Sequence, residues 1–111
     1  MRILADVVSA CPGTSKAGAL RAAGLPDRGI GYLRPLERAC AAGLIIVERL
    51  RPNLCRLFAS KLDRDIWHLR DELLHGVPTA ERATEILAAI EVLRAQQARE
   101  YVAASRQDSA P

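Results

Sequence analysis

The sequence predicts a mainly α-helical protein with one small β-hairpin, on three observations. Half of the 111 residues are hydrophobic but only 4% are aromatic, so the core must be built from Leu, Ile, Val and Ala. That mixture favours helices over a β-sandwich. Apolar residues recur at helical spacing through most of the chain. One stretch breaks the period: Leu44–Leu50 is β-branched at its centre, Arg51-Pro52-Asn53 supplies a turn, and Leu54–Ala59 is a second apolar run.

In order, residues 2–11 place Ile3, Leu4, Val7, Val8 and Cys11 on one helical stripe, ended by Pro12-Gly13. Thr14 or Ser15 caps a second helix, short and alanine-rich, over Lys16–Ala23. Gly24 and Pro26 stop it. Its small residues Ala17, Gly18 and Ala19 let another helix cross closely. Asp27–Gly31 is a flexible connector. A third helix starting near Gly31 or Tyr32 puts Pro35 in the first turn, where its missing N–H costs no bond. Leu33, Leu36 and Cys40 form its stripe, Arg34, Glu37, Arg38 and Ala41 face away, and Gly43 ends it. After the hairpin, Ser60 caps a fourth helix with the stripe Leu62, Ile66, Leu69 and Leu73, closed by Gly76 and Pro78. Thr79 starts the fifth and longest helix, whose stripe Ile86, Ala89, Ile90 and Leu93 fades after Gln96. Beyond Tyr101 the chain is expected to fray.

The length suits one domain with an extension. No apolar run approaches the roughly 18–20 residues of a membrane span. Asp6 interrupts the segment after Met1-Arg2, so a signal peptide is not expected and a cytoplasmic location is the default. Cys11, Cys40 and Cys55 are odd in number and form no Cys-x-x-Cys pair, which disfavours disulfides or a zinc knuckle and leaves buried reduced thiols. Charge is uneven. Residues 1–60 carry nine Lys/Arg against four Asp/Glu, whereas residues 61–111 carry seven against nine. A basic surplus confined to one half points to a polyanionic partner there.

The order of helices, the "Gly43-Leu44-Ile45-Ile46" exit into a hairpin and the segments Thr14–Ala23, Leu25, Leu36, Cys40 and Arg49–Arg56 resemble the winged helix-turn-helix of bacterial transcriptional regulators, MarR-like and ArsR-like repressors above all. The resemblance covers roughly residues 1–60. It implies a winged-helix DNA-binding domain over 1–60, a helical dimerisation extension over 61–103 and a flexible tail over 104–111. The implied function is a sequence-specific double-stranded DNA-binding transcriptional regulator acting as a homodimer on a palindromic site. Arg34 would read a base edge, since a guanidinium pairs bidentately with guanine, and Arg38 a base or a phosphate. Thr14, Lys16 and Arg28 would hold phosphates. Arg49, Arg51 and Arg56 on the wing would take the minor groove or backbone. Tyr32 is open between core and phosphate contact. Trp67, Leu69, Leu73, Ile86, Ile90 and Leu93 exceed what a 60-residue head can cover and are expected at the dimer interface.

Two alternatives stay open. The link from Gly24 to the third helix is long and glycine-rich and the wing is brief, which suits a winged helix turned to protein–protein contact. A purely helical scaffold is the other. His68, Asp71, Glu72 and His75 share a face of the fourth helix, but the two histidines lie roughly 10 Å apart along it, too far to bind one ion from a single helix, so a dimer would have to complete such a site. A polar face is the preferred reading, with no metal and no cofactor expected. No Ser/His/Asp set, glycine-rich phosphate loop or pair of buried carboxylates stands out, so an enzyme is not expected. Cys11 and Cys40 lie on apolar stripes, which favours packing over nucleophilic roles.

Overall fold

The first helix, α1 (Arg2–Ala10), buries Leu4 and Val8 and half-buries Val7. The computed structural model describes residues 2–108 and places after α1 the elements α2 (Lys16–Ala22), α3 (Arg34–Ala41), β1 (Ile46–Arg51), β2 (Leu54–Phe58), α4 (Lys61–His75) and α5 (Ala80–Asp108). The protein is thus mainly helical with a two-stranded antiparallel hairpin. Two compact units divide it, the first ending at Arg64 and the second beginning at Asp65.

In the first unit the ends of α2 and α3 are set by the same device. Ser15 Oγ accepts the Gly18 N–H at 3.0 Å and caps α2. At the other end Leu25 N–H donates to Leu20 O (2.8 Å) and Gly24 N–H to Arg21 O (3.0 Å), with Gly24 at φ 74°. α3 ends alike: Leu44 N–H reaches Ala39 O (2.9 Å) and Gly43 N–H reaches Cys40 O (3.0 Å), with Gly43 at φ 74°. Both are Schellman motifs, in which a glycine takes the left-handed position that reverses the chain. The amide of Leu44 is spent on this cap, so β1 begins at Ile46 and not at Leu44.

β1 and β2 pair from Ile46↔Phe58 to Arg49↔Cys55 and resume at Arg51↔Leu54. Leu50 is the extra residue, a bulge beside the Pro52-Asn53 turn. The far edge of β2 is also paired. Gly13 N–H donates to Leu57 O and Leu57 N–H to Thr14 O, both at 2.9 Å. A hairpin that would be marginal alone is thereby tied to the α1–α2 link. The core joins Leu4 and Val8 of α1, Ala19 and Leu20 of α2, Leu36 and Ala39 of α3, Ile45 and Leu57.

Several expectations are corrected. α3 starts at Arg34, because Gly31–Leu33 forms a turn closed by Arg34 N–H to Gly31 O at 3.1 Å. The buried stripe of α3 runs through Leu36 and Ala39, and Cys40 is exposed. Cys11 lies one residue past the end of α1 and is also exposed, while Cys55 is half-buried, so the thiols are not core groups. α5 continues past Tyr101 to Asp108; residues 109–111 of the expected tail lie outside the described residues.

In the second unit Ile66, Ile86 and Ile90 are buried together, with Leu69, Leu73 and Leu93 packed around them. Trp67 is half-buried, its ring edge-on to His68 at 5.2 Å. Of the residues expected at a dimer interface, Ile86 and Ile90 are buried within the chain, and Trp67, Leu69, Leu73 and Leu93 are half-buried. Among the described residues no helix is long and apolar enough to cross a membrane.

Candidate nucleic-acid interface

Burying Leu36 and Ala39 fixes how α3 is turned. Arg34, Glu37, Arg38 and Ala41 then face outward, as helical periodicity requires. Arg34 is the first residue of α3, one position ahead of Pro35. Its side chain folds back beside Gly31, where a Cβ would meet Arg34 Nε at 3.3 Å. Gly31 stands at φ 73°, so a larger residue there would be strained and would also push on Arg34. A shallow hollow joins Gly29, Gly31 and Arg34 to Tyr32, Leu33 and Glu37.

A larger cleft of about 460 Å³ adjoins it through Tyr32 and Leu33. Ser15, Lys16 and Ala17 line one wall, Asp27 and Tyr32 another, and Arg49 with Pro52–Cys55 of the hairpin a third. Arg49 stands directly opposite Cys55 in the ladder, on the face that carries Val47 and Leu57 inward. Lys16 at the start of α2, Tyr32 before α3 and Arg49 on the hairpin are thus brought to one concavity, with Arg34 next to it.

The basic side chains differ in their partners. Arg21 lies 3.6 Å from Asp27, and Arg64 lies 3.6 Å from Glu48. Arg56 Nη1–H donates to Gly13 O at 3.1 Å, so this residue braces β2 against the α1–α2 link and is not a free wing cation. By contrast, among the described residues no ion pair or side-chain hydrogen bond engages Lys16, Arg28, Arg34, Arg38, Arg49 or Arg51. All but the half-buried Lys16 are exposed. Thr14 is half-buried with its carbonyl held by Leu57, and its hydroxyl reaches only Ser15 O at 3.5 Å. Tyr32 is half-buried: it packs against the core and also lines the cleft.

Sequence reasoning missed the cleft residues Ser15, Asp27, Asn53 and Cys55, because only chain folding brings them together. It also missed Ile30, which is fully exposed between Gly29 at φ 100° and Gly31 at φ 73°. An isoleucine between two glycines in a polar connector was the available signal.

On α4, the face weighed as a metal site is engaged otherwise. His75 Nδ1 and Asp71 Oδ1 are 3.0 Å apart. Glu72 takes a two-pronged contact from Arg82, Nε to Oε2 at 2.6 Å and Nη2 to Oε1 at 2.9 Å. The hydrogen bond from Arg82 holds the Glu72 carboxyl below its ordinary value, and the same contact raises Arg82. Among the described residues no group of three or more His, Cys, Asp or Glu is placed to hold a metal ion.

No protein-family model, curated protein or solved structure matches this chain.

Proposed function

We propose that the chain is a winged helix-turn-helix regulator of transcription that binds double-stranded DNA as a homodimer. α2 and α3 would form the helix-turn-helix, with α3 in the major groove and the β1–β2 hairpin as the wing. The observation that supports this most is the set of basic side chains without acidic partners on one side of the first unit: Lys16 and Arg49 in the cleft, Arg34 in the adjoining hollow, and Arg38 one turn along α3. Phosphate oxygens would supply the missing counter-charge. Arg34 and Arg38 would reach base edges, and Glu37 between them suits the amino group of cytosine. Arg28, Arg49 and Arg51 would contact the backbone.

The reading is tested by binding to arbitrary duplex DNA and to selected sequences at two salt concentrations. Lys16, Arg28, Arg49 and Arg51 of both protomers would make about eight phosphate contacts, which imply an affinity falling by about four orders of magnitude between roughly 50 and 200 mM salt. Arg34→Ala with Arg38→Ala should weaken binding to a selected site by about 1–3 kcal/mol per lost base contact and flatten sequence preference. Unchanged affinity in the double variant would remove α3 as the reading element.

A protein–protein role is the second reading, favoured by Ile30. An exposed isoleucine on a two-glycine tip beside α3 offers an apolar anchor to a protein pocket. No DNA binding at low salt would select this reading over the first.

A further inference from the structure

α5 is nearly twice as long as α4, 29 residues against 15. At ~1.5 Å per residue it outruns α4 by about 20 Å. Ile86, Ile90 and Leu93 face the core of the second unit. The side of α5 turned away from that core carries Ala88, Ala95, Ala98 and Val102, all exposed, with Val102 at 48%. Positions 88, 91, 95, 98 and 102 alternate in steps of three and four, the spacing of a seam for a second helix. The alanines on it allow a close approach.

Charge along α5 is segregated as well. Glu81, Glu85 and Glu91 fall in its first half, and Arg94, Arg99 and Arg106 in its second, with Glu100 and Asp108 the exceptions. Arg82, the one cation of the first half, is held by Glu72 and Glu85. Among the described residues no ion pair or hydrogen bond engages Glu91 or Arg99.

We infer that α5 pairs antiparallel with α5 of a second copy of this chain along the seam Ala88–Ala95–Val102, with Glu91 of each copy facing Arg99 of the other. A parallel pair would instead set Glu91 of each copy against Glu91 of the other, and Arg99 against Arg99. Full antiparallel overlap of two helices spanning Ala80–Asp108 puts the two-fold axis near residue 94 or 95. Glu91 and Arg99 lie four residues to either side of Ala95, so the axis brings each onto the other twice. This also explains a glutamate in the middle of an otherwise apolar seam. The inference deepens the homodimer part of the proposed function but rests on the second unit alone, so it stands or falls apart from DNA binding.

The test is sedimentation of the full chain. The wild type should sediment at twice the monomer mass. Glu91→Arg and Arg99→Glu, each alone, place like charges at both contacts and should raise the dimer dissociation constant at least about tenfold. An equimolar mixture of the two variants should restore the dimer, because every contact then joins opposite charges. Ala95→Asp, on the exposed side of α5, should dissociate the dimer with helical circular dichroism unchanged. A monomeric wild type at high concentration, variants that dimerise as tightly as wild type, or a mixture that stays dissociated would each overturn the pairing. A dimer that binds no DNA would leave the pairing intact and count only against the DNA reading.

Discussion

Val77 holds φ at 47°, the left-handed region, although it is β-branched and 91% exposed. Its side chain has nothing to lose there and its backbone bears strain on the order of 1 kcal/mol. Val77→Asn should therefore stabilise the second unit by about 1 kcal/mol, read as a higher urea midpoint with unchanged slope. The turn is tight for a second reason. A Cβ at Gly76 would lie 2.6 Å from the Glu72 carbonyl oxygen, so no alanine fits there without backbone movement. Across the same turn, Glu72 is held below its ordinary value chiefly by the hydrogen bond from Arg82. A carboxyl depressed in the folded state adds stability that is complete above its unfolded value and lost as pH falls through its folded value. Glu72→Gln should lower the melting temperature at neutral pH, and the difference from wild type should close as acid protonates Glu72. A difference that persists in acid would mean that the pair contributes no charge-dependent stability.

At the scale of elements, β2 is the strand on which the first unit depends. Leu57 is fully buried, pairs with Val47 on one side and exchanges backbone hydrogen bonds with Gly13 and Thr14 on the other. Leu57→Ala should cost about 2–5 kcal/mol, measured by denaturant unfolding, because the site is closed on both edges and cannot collapse to fill the space. Helix termini at this scale follow local chemistry. Ser15, Ser60 and Thr79 cap where a hydroxyl precedes an apolar period, accepting from Gly18, Asp63 and Arg82 at 3.0, 3.1 and 3.2 Å. The start of α3 did not follow the same logic. Leu33 precedes it without a side-chain cap, and the turn at Gly31 sets the boundary. Hence Arg34 stands at the very first helical position, where its side chain folds back on Gly31.

For the whole molecule, the number, type and order of elements were legible in the sequence, because each rests on periodicity, caps and turn residues that act within a few positions of one another. The proline-asparagine turn and the two glycine-ended helices are such cases. Burial at stripe edges was not. Cys11 and Cys40 lie at helical spacing with core residues, yet both are exposed: α1 ends before Cys11, and α3 is turned so that Ala39 takes the inner position. The surplus of apolar residues in the second half was also visible, but what covers it was not. Ile86 and Ile90 meet Ile66 inside the chain, and a different side of α5 is left exposed. Among the basic residues, charge alone did not separate Arg56, which braces Gly13, from Arg49, which faces a cleft. By itself the sequence determined the helices, the hairpin and the basic bias of one half, since these follow from local hydrogen bonding and composition. Only the tertiary structure decided which arginines lack acidic partners and which side of α5 stays open, because both depend on which distant side chains the packing brings within a few ångströms.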